Sequence, residues 1–191
     1  MPELATVTLN LSKPTCRKDW VQVTLRPGVI DDQAIEVFGF SLCAQLACAL
    51  HEETGWPMLG VENQFSTGRR AVGSRFSVRS VLRRRRPGDY WLWSHVGVQT
   101  PCGRFLDIQG ARTCAEVQRE WSALENGAPS RTVVLPTFAD LRRWTQLPSG
   151  TPDSWWEEDW VSDFHVSVAD GLAPFASVLV DAYQAQTDVA G

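Results

Sequence analysis

The sequence predicts a single domain of the α+β class, in which a cysteine-bearing helix precedes an antiparallel sheet. Residues 42–53 have apolar side chains at helical spacing and are followed by Gly55 and Pro57, which end helices. The β-type segments after them are joined by short turns, and short turns favour antiparallel pairing. Of the 191 residues, 43% are hydrophobic and 21% are charged, which is typical of one folded core.

Local sequence patterns predict the amino-terminal elements. Residues 6–11 and 20–25 are rich in β-branched side chains and predict two strands around a Lys-Pro-Thr turn. Residues 31–38 predict a short helix or connector. Ser41 is the expected N-cap of the helix 42–53.

The rest of the chain predicts a β section followed by helices. The expected strands are 58–61, 74–82, 90–99, 104–108 and 132–135, and the expected helices are 113–124, 137–144 and 174–185. Segments 83–89 and 100–103 contain Gly or Pro and predict turns. We expect one domain over residues 1–191, with a core at 39–110 and a Trp-rich extension at 146–191.

Charge and cysteine usage exclude several classes of function. The net charge of −4 provides no overall basic field, so nucleic acid is not the expected partner. No stretch has the roughly 20 apolar residues that span a bilayer, and the first residues do not form a secretory signal. The five cysteines are odd in number and lack a Cys-x-x-Cys pair, which argues against a disulfide framework or a zinc ribbon. We expect a cytoplasmic protein without metal or organic cofactor, and export without a signal, as an effector, stays open.

Cys43 is the candidate nucleophile. It lies in the first turn of the predicted helix, where unpaired N–H groups and the helix dipole favour a thiolate. The Cys43 N–H has no partner within a helix and is available to an oxyanion.

His95 and Asp107 are the candidate base and its orienting carboxylate. They lie on successive predicted strands around the turn Thr-Pro-Cys-Gly, so antiparallel pairing brings them close together. A carboxylate beside the imidazole can orient it and stabilise its cationic form. Cys43, His95 and Asp107 together predict a catalytic triad.

Three segments in the order of this triad carry a resemblance. They are Cys-Ala-Gln-Leu-Ala-Cys-Ala-Leu-His-Glu-Glu-Thr-Gly-Trp-Pro from Cys43, Ser-His-Val-Gly-Val, and Pro-Cys-Gly-Arg-Phe-Leu-Asp. The chain here resembles papain-like cysteine hydrolase domains of bacteria and phages, including papain-like fold toxins. The resemblance implies a papain-like fold with the nucleophile helix packed on an antiparallel sheet. Ala44 stands where the pattern often has His, and Cys102 where it usually has Asp; the upstream oxyanion glutamine of such enzymes has only Gln22 and Gln33 as candidates.

Other chemistry-bearing residues have simpler interpretations. Cys48 is expected in the core, and Cys16, Cys102 and Cys114 are expected to be structural or incidental. His51 is followed by Glu-Glu rather than by Glu-x-x-His, so the metalloprotease motif is absent. We expect the four arginines at 83–86 to be a solvated hairpin tip, with an acidic protein surface as the alternative. Trp155, Trp156 and Trp160 are expected to anchor the C-terminal segment or to line a groove.

The sequence leads us to expect one of two functions. The first is a thiol-dependent hydrolase or acyltransferase that acts on an amide or thioester of a protein or peptide; peptidase, deamidase, transglutaminase and acyltransferase chemistry all stay open. The second is an inactive papain-like module that binds another protein through its Trp-rich and Arg-rich surfaces.

Overall fold

A computed structural model describes residues 7–12, 20–40, 42–66, 89–145 and 169–190. The strands are β1 (Val7–Ser12), β2 (Trp20–Leu25), β3 (Met58–Ser66), β4 (Asp89–Gln99), β5 (Phe105–Asp107), β6 (Gly110–Arg112) and β7 (Ser130–Leu135). The helices are α1 (Asp32–Phe40), α2 (Cys43–Thr54), α3 (Cys114–Leu124), α4 (Phe138–Thr145) and α5 (Ala169–Ala190). The predicted α+β class is confirmed.

The sheets are antiparallel. β1 and β2 form a two-stranded sheet, and the other five strands form a second sheet in the order β6-β5-β4-β3-β7. β3 and β4 lie at the centre of the larger sheet, and their pairing shifts register between Val61 and Glu62, opposite Ser94. Such a bulge bends a strand and re-aims the side chains beside it.

The larger sheet packs against helices through two clusters of buried side chains. Val96, Val98 and Leu106 pack with apolar residues of α2 and α5. Leu59, Val61 and Phe105 pack with Val117 and Trp121 of α3. Neighbouring residues of one strand therefore join different clusters, as expected where successive side chains point to opposite faces.

The start of α2 differs from the prediction. Leu42, not Ser41, is the N-cap residue, and its side chain makes no capping hydrogen bond. The Leu42 N–H donates to the Val37 carbonyl at 2.9 Å, so α1 leads almost directly into α2. The C-terminus follows the prediction: Gly55 has φ +70°, and its N–H donates to the His51 carbonyl.

Several other bounds also differ. β3 extends to Ser66, α5 is longer than the predicted 174–185 and contains Pro174, and β6 was not predicted. Several features discussed from the sequence lie outside the described residues: the predicted strand 74–82, the arginine run 83–86, Cys16 and the tryptophans at 155, 156 and 160.

Within the described ranges, no single helix is long and apolar enough to cross a membrane. Residues 32–39 and α2 form a bent pair that together has the length and composition of a membrane span. The same residues contain no group of three or more His, Cys, Asp or Glu side chains that could hold a metal ion.

Candidate functional site

His95 and Asp107 are in direct contact. A tight turn joins their strands: the Thr100 N–H donates to the Arg104 carbonyl at 2.9 Å, and Gly103 adopts φ +77°. The Nε2 atom of His95 lies 2.8 Å from Oδ2 of Asp107, with both residues only 2% exposed. Burial shields this hydrogen bond from water, so the carboxylate fixes both the ring orientation and the position of the proton.

Cys43 lies at the N-terminus of α2, close enough to the same imidazole to affect its pKa. Because no side chain caps this helix, its first N–H groups are not occupied by a cap. The Nδ1 atom of His95 is buried and has no hydrogen-bond partner among the described residues. The charge of the Cys43 side chain nevertheless helps to raise the pKa of the ring.

The pKa of His95 reflects this environment. Burial alone would lower it, but the charge of Cys43 and the hydrogen bond to Asp107 outweigh burial and raise the pKa to about 9. The imidazole is therefore protonated at neutral pH whenever the thiolate stands beside it.

Two aromatic rings stack against the imidazole ring of His95. The Trp121 ring stacks on it at a centroid distance of 4.9 Å and an interplanar angle of 20°, and the Phe105 ring at 5.8 Å and 26°. Gly97 makes room for Phe105, since a Cβ at position 97 would lie 2.5 Å from Cε1 of Phe105. The aromatic rings restrict rotation of the imidazole and stabilise its cationic form.

Two polar side chains tie Trp121 to the sheet. The buried Asn63 donates from Nδ2 to the Trp121 carbonyl at 3.2 Å, and Ser94, at the bulge, donates to Oδ1 of Asn63 at 2.7 Å. The α3 helix is fixed at its start by a capping box between Thr113 and Glu116. The position of the ring over His95 is thus determined from both α3 and β3.

Asp107 has further partners besides His95. Its Oδ2 also accepts from Nη2 of Arg112 at 2.6 Å, and its Oδ1 accepts from the Gln109 N–H at 2.9 Å. Burial would raise the pKa of Asp107, but the hydrogen bond to His95 and the charges of His95 and Arg112 hold it below the usual value. Arg112 in turn forms an ion pair with Glu120 of α3.

The other described cysteines differ from Cys43. Burial raises the pKa of Cys48 to about 12, which makes it an unreactive thiol, consistent with the core position expected for it. Cys102 is exposed, and its pKa is lowered by hydrogen bonds with Thr100 and Tyr183. Cys102 Sγ lies 3.2 Å from the Tyr183 hydroxyl and links the β4–β5 turn to α5. His51 is structural, because its Nδ1 pairs with the Trp56 carbonyl at 2.6 Å.

Comparison with known proteins adds no relative. No family model, no curated protein and no solved structure matches this chain.

The sequence located part of this arrangement. It placed Cys43, His95 and Asp107 correctly on a helix and on two paired strands. It did not single out Phe105, Trp121, Arg112 or Glu120 as neighbours of the site. An aromatic contact with His95 could have been inferred from two residues near the predicted triad members. These are the aromatic residue at position 105 and Gly97, which accommodates it.

Proposed function

We propose that the chain is a papain-like thiol hydrolase or acyltransferase that uses Cys43, His95 and Asp107. The supporting observation is that the two nitrogens of one buried imidazole have different surroundings. Nε2 is hydrogen-bonded to Asp107, whereas Nδ1 is buried without a hydrogen-bond partner among the described residues, and the charge of Cys43 helps to raise the pKa of the ring. In a thiol–imidazole–carboxylate triad, the carboxylate binds one ring nitrogen and the thiol gives its proton to the other.

In the first half of the reaction, Nδ1 of His95 accepts the thiol proton, and the Cys43 sulfur attacks the carbonyl carbon of an amide or thioester. The carbonyl electron pair moves to oxygen, and the oxyanion is stabilised by N–H groups at the start of α2, including that of Cys43. The oxyanion then collapses, the bond to the leaving group breaks, and the imidazolium gives its proton to that group. A thioester on Cys43 remains.

In the second half, an acceptor attacks the thioester and gives its proton to Nδ1. The bond from carbon to sulfur breaks, and Cys43 is restored. Water as acceptor gives a peptidase or a deamidase, and an amine gives a transglutaminase or another acyltransferase. The carboxylate of Asp107 keeps the proton of Nε2 in place throughout. We propose a protein or a peptide as the substrate.

A second candidate function is a papain-like interaction module without activity. It is favoured by the closure of the site, since Cys43 is 5% exposed and His95 is 2% exposed. On this interpretation, binding of another protein replaces catalysis, and the arginine run and the tryptophans of the C-terminal segment form the contact.

Labelling of individual thiols separates the two functions. We expect iodoacetamide to modify Cys43 at neutral pH, and His95→Gln to slow that reaction because the thiolate loses its cationic partner. Cys102 is the internal control, since its partners are Thr100 and Tyr183 and its rate should not change. Peptide mass spectrometry against pH measures both rates. A Cys43 that stays unmodified in the folded protein would favour the interaction module.

Expression in a bacterial host tests activity itself. Cys43→Ala should abolish any toxicity and any mass change in host proteins, whereas Cys48→Ala, a matched change in the same helix, should retain them. His95→Ala should reduce activity on the order of 10²- to 10⁴-fold. The mass change of the target distinguishes hydrolysis, deamidation and cross-linking. Equal effects of wild type and Cys43→Ala would contradict the proposed enzyme.

A further inference from the structure

The ion pair between Arg112 and Glu120 adjoins Asp107, the carboxylate of the proposed triad. Arg112 is in β6 and pairs across the sheet with Phe105, whose ring stacks on His95. Its Nη2 atom and the Nε2 atom of His95 both contact the same Asp107 oxygen, at 2.6 and 2.8 Å. A cation and an imidazole thus share one carboxylate oxygen.

Glu120 extends this chain of charges to a third element. It pairs with Nη1 of Arg112, so the two ends of the guanidinium bind two different carboxylates. Arg112 has a side-chain exposure of 19%, against 3% for Asp107 and 34% for Glu120. The charges therefore run from solvent-accessible Glu120 through Arg112 to buried Asp107, where low polarity strengthens each interaction.

We propose that Arg112, held by Glu120, sets how strongly Asp107 acts on the His95 imidazole. This inference rests on the proposed function, because only a catalytic His95 gives the adjustment a purpose. Arg112 does not contact the reacting atoms in this scheme. It is a positioning residue that acts through Asp107.

The physical reason is competition for one carboxylate. Arg112 keeps Asp107 ionised in a buried site, which enables the carboxylate to accept the hydrogen bond from the Nε2–H group of His95. Arg112 also neutralises part of the carboxylate charge, which limits the stabilisation of the imidazolium. Glu120 opposes the second effect, since it neutralises part of the guanidinium charge. Cys43 and Asp107 are the titrating groups that act on His95 directly.

Substitutions of Arg112 and of Glu120 should shift the pKa of His95 in opposite directions. In Arg112→Met, Asp107 keeps its bonds to His95 and Gln109 but loses its cation, so the pKa of His95 should rise by about 1. In Glu120→Gln, the full guanidinium charge acts on Asp107, and the pKa of His95 should fall. General loosening of the structure would instead move both variants toward the ordinary histidine value.

The measurement is an NMR titration of the His95 ring in the full chain, which requires neither substrate nor activity. Arg112→Lys, which keeps the charge, should restore most of the wild-type pKa. Arg104→Met is the matched control, since this arginine bonds the Ala111 carbonyl of the same hairpin at 2.6 Å and should leave the pKa unchanged.

The outcomes separate this inference from the proposed function. A His95 pKa that is unchanged or lowered in folded Arg112→Met overturns the inference. If that variant does not fold, an unchanged pKa in Glu120→Gln overturns it. If the shifts occur as expected but Cys43→Ala remains as active as wild type, the enzyme proposal fails and the charge relation stands.

Discussion

His95 should make the stability of the protein depend on pH. Its pKa is about 9 in the folded protein, against an ordinary value of 6.5. Because the folded-state pKa is raised, the stabilisation is fully present below pH 6.5 and is lost as the pH rises through about 9. We therefore expect the free energy of unfolding to fall over this interval.

Urea unfolding from pH 6 to 10 would measure this dependence in a Cys102→Ser background, which removes the exposed thiol whose pKa is lowered. Cys43→Ala is the informative comparison, because the charge of Cys43 is the largest of the influences that raise the pKa of His95. The fall should become smaller in this variant. A free energy that stays level or increases up to pH 9 would contradict the assigned environment of His95.

At the scale of residues, the sequence was informative where the relation was local. His95 and Asp107 were paired from their strands and the turn between them, and they form the hydrogen bond expected from that pairing. Arg112 was not recognised, because β6 has only three residues and no hydrophobic alternation. Glu120 reaches the site from α3, and such a contact depends on tertiary packing, which a local pattern does not specify.

At the scale of elements, Gly97 determines whether β4 and β5 can hold their side chains in place. In Gly97→Ala, the added Cβ would lie 2.5 Å from both the Leu106 carbonyl oxygen and Cε1 of Phe105. The backbone oxygen cannot move without disturbing the strand pair, so Phe105 should move away from His95. We expect a loss of about 1–3 kcal/mol in the free energy of unfolding.

Gly39→Ala is the control, and it should have the opposite sign. Gly39 lies in α1, and a Cβ there would meet no atom within 4 Å. Alanine in a helix should therefore raise stability by about 0.5–1 kcal/mol. Thermal unfolding of both variants measures the difference. Equal stability of Gly97→Ala and Gly39→Ala would contradict the close packing of Phe105.

The elements also show where sequence patterns lose accuracy. The C-terminal end of α2 was predicted because Gly55 provides a residue that readily adopts positive φ. The start of α2 lies one residue after the predicted start, because the hydrogen bond from Leu42 to Val37 of the preceding helix replaces a local cap. A contact between two helices decided that boundary.

At the scale of the whole molecule, α5 couples the C-terminal part of the chain to the layer that carries Cys43. Phe175 is fully buried and meets Phe38 edge to face at a centroid distance of 5.0 Å. We expect Phe175→Ala to lower the free energy of unfolding by about 3–5 kcal/mol. Val178→Ala, on the same helix but 39% exposed, should change it by less than about 0.5 kcal/mol.

Two probes of the same unfolding transition test whether the chain is one cooperative unit. Urea curves from tryptophan fluorescence and from far-UV circular dichroism should coincide in wild type and in Phe175→Ala, with a lower midpoint in the variant. Separate midpoints would mean that α5 unfolds independently of the sheet, and would contradict the expectation of a single domain.

The class of fold could be predicted from the sequence, but the strand order could not. Alternating patterns and short turns predicted antiparallel pairing between neighbouring strands. The pairing of β3 with β7 joins segments separated by three other strands and a helix. Nothing within either segment specifies such a distant partner, because a short apolar strand can pair equally well with many different strand edges.

The short turn between β4 and β5 has a consequence for the order of events during synthesis. Local hairpins close quickly, whereas contacts between distant segments form later. A chain made from its N-terminus presents α2 long before the strands that carry His95 and Asp107 have emerged. The Cys43 thiol is then an ordinary one, without an imidazole beside it. The proposed chemistry therefore becomes available only after the strands that carry His95 and Asp107 have been translated, and until then the nascent chain carries Cys43 without its proposed base.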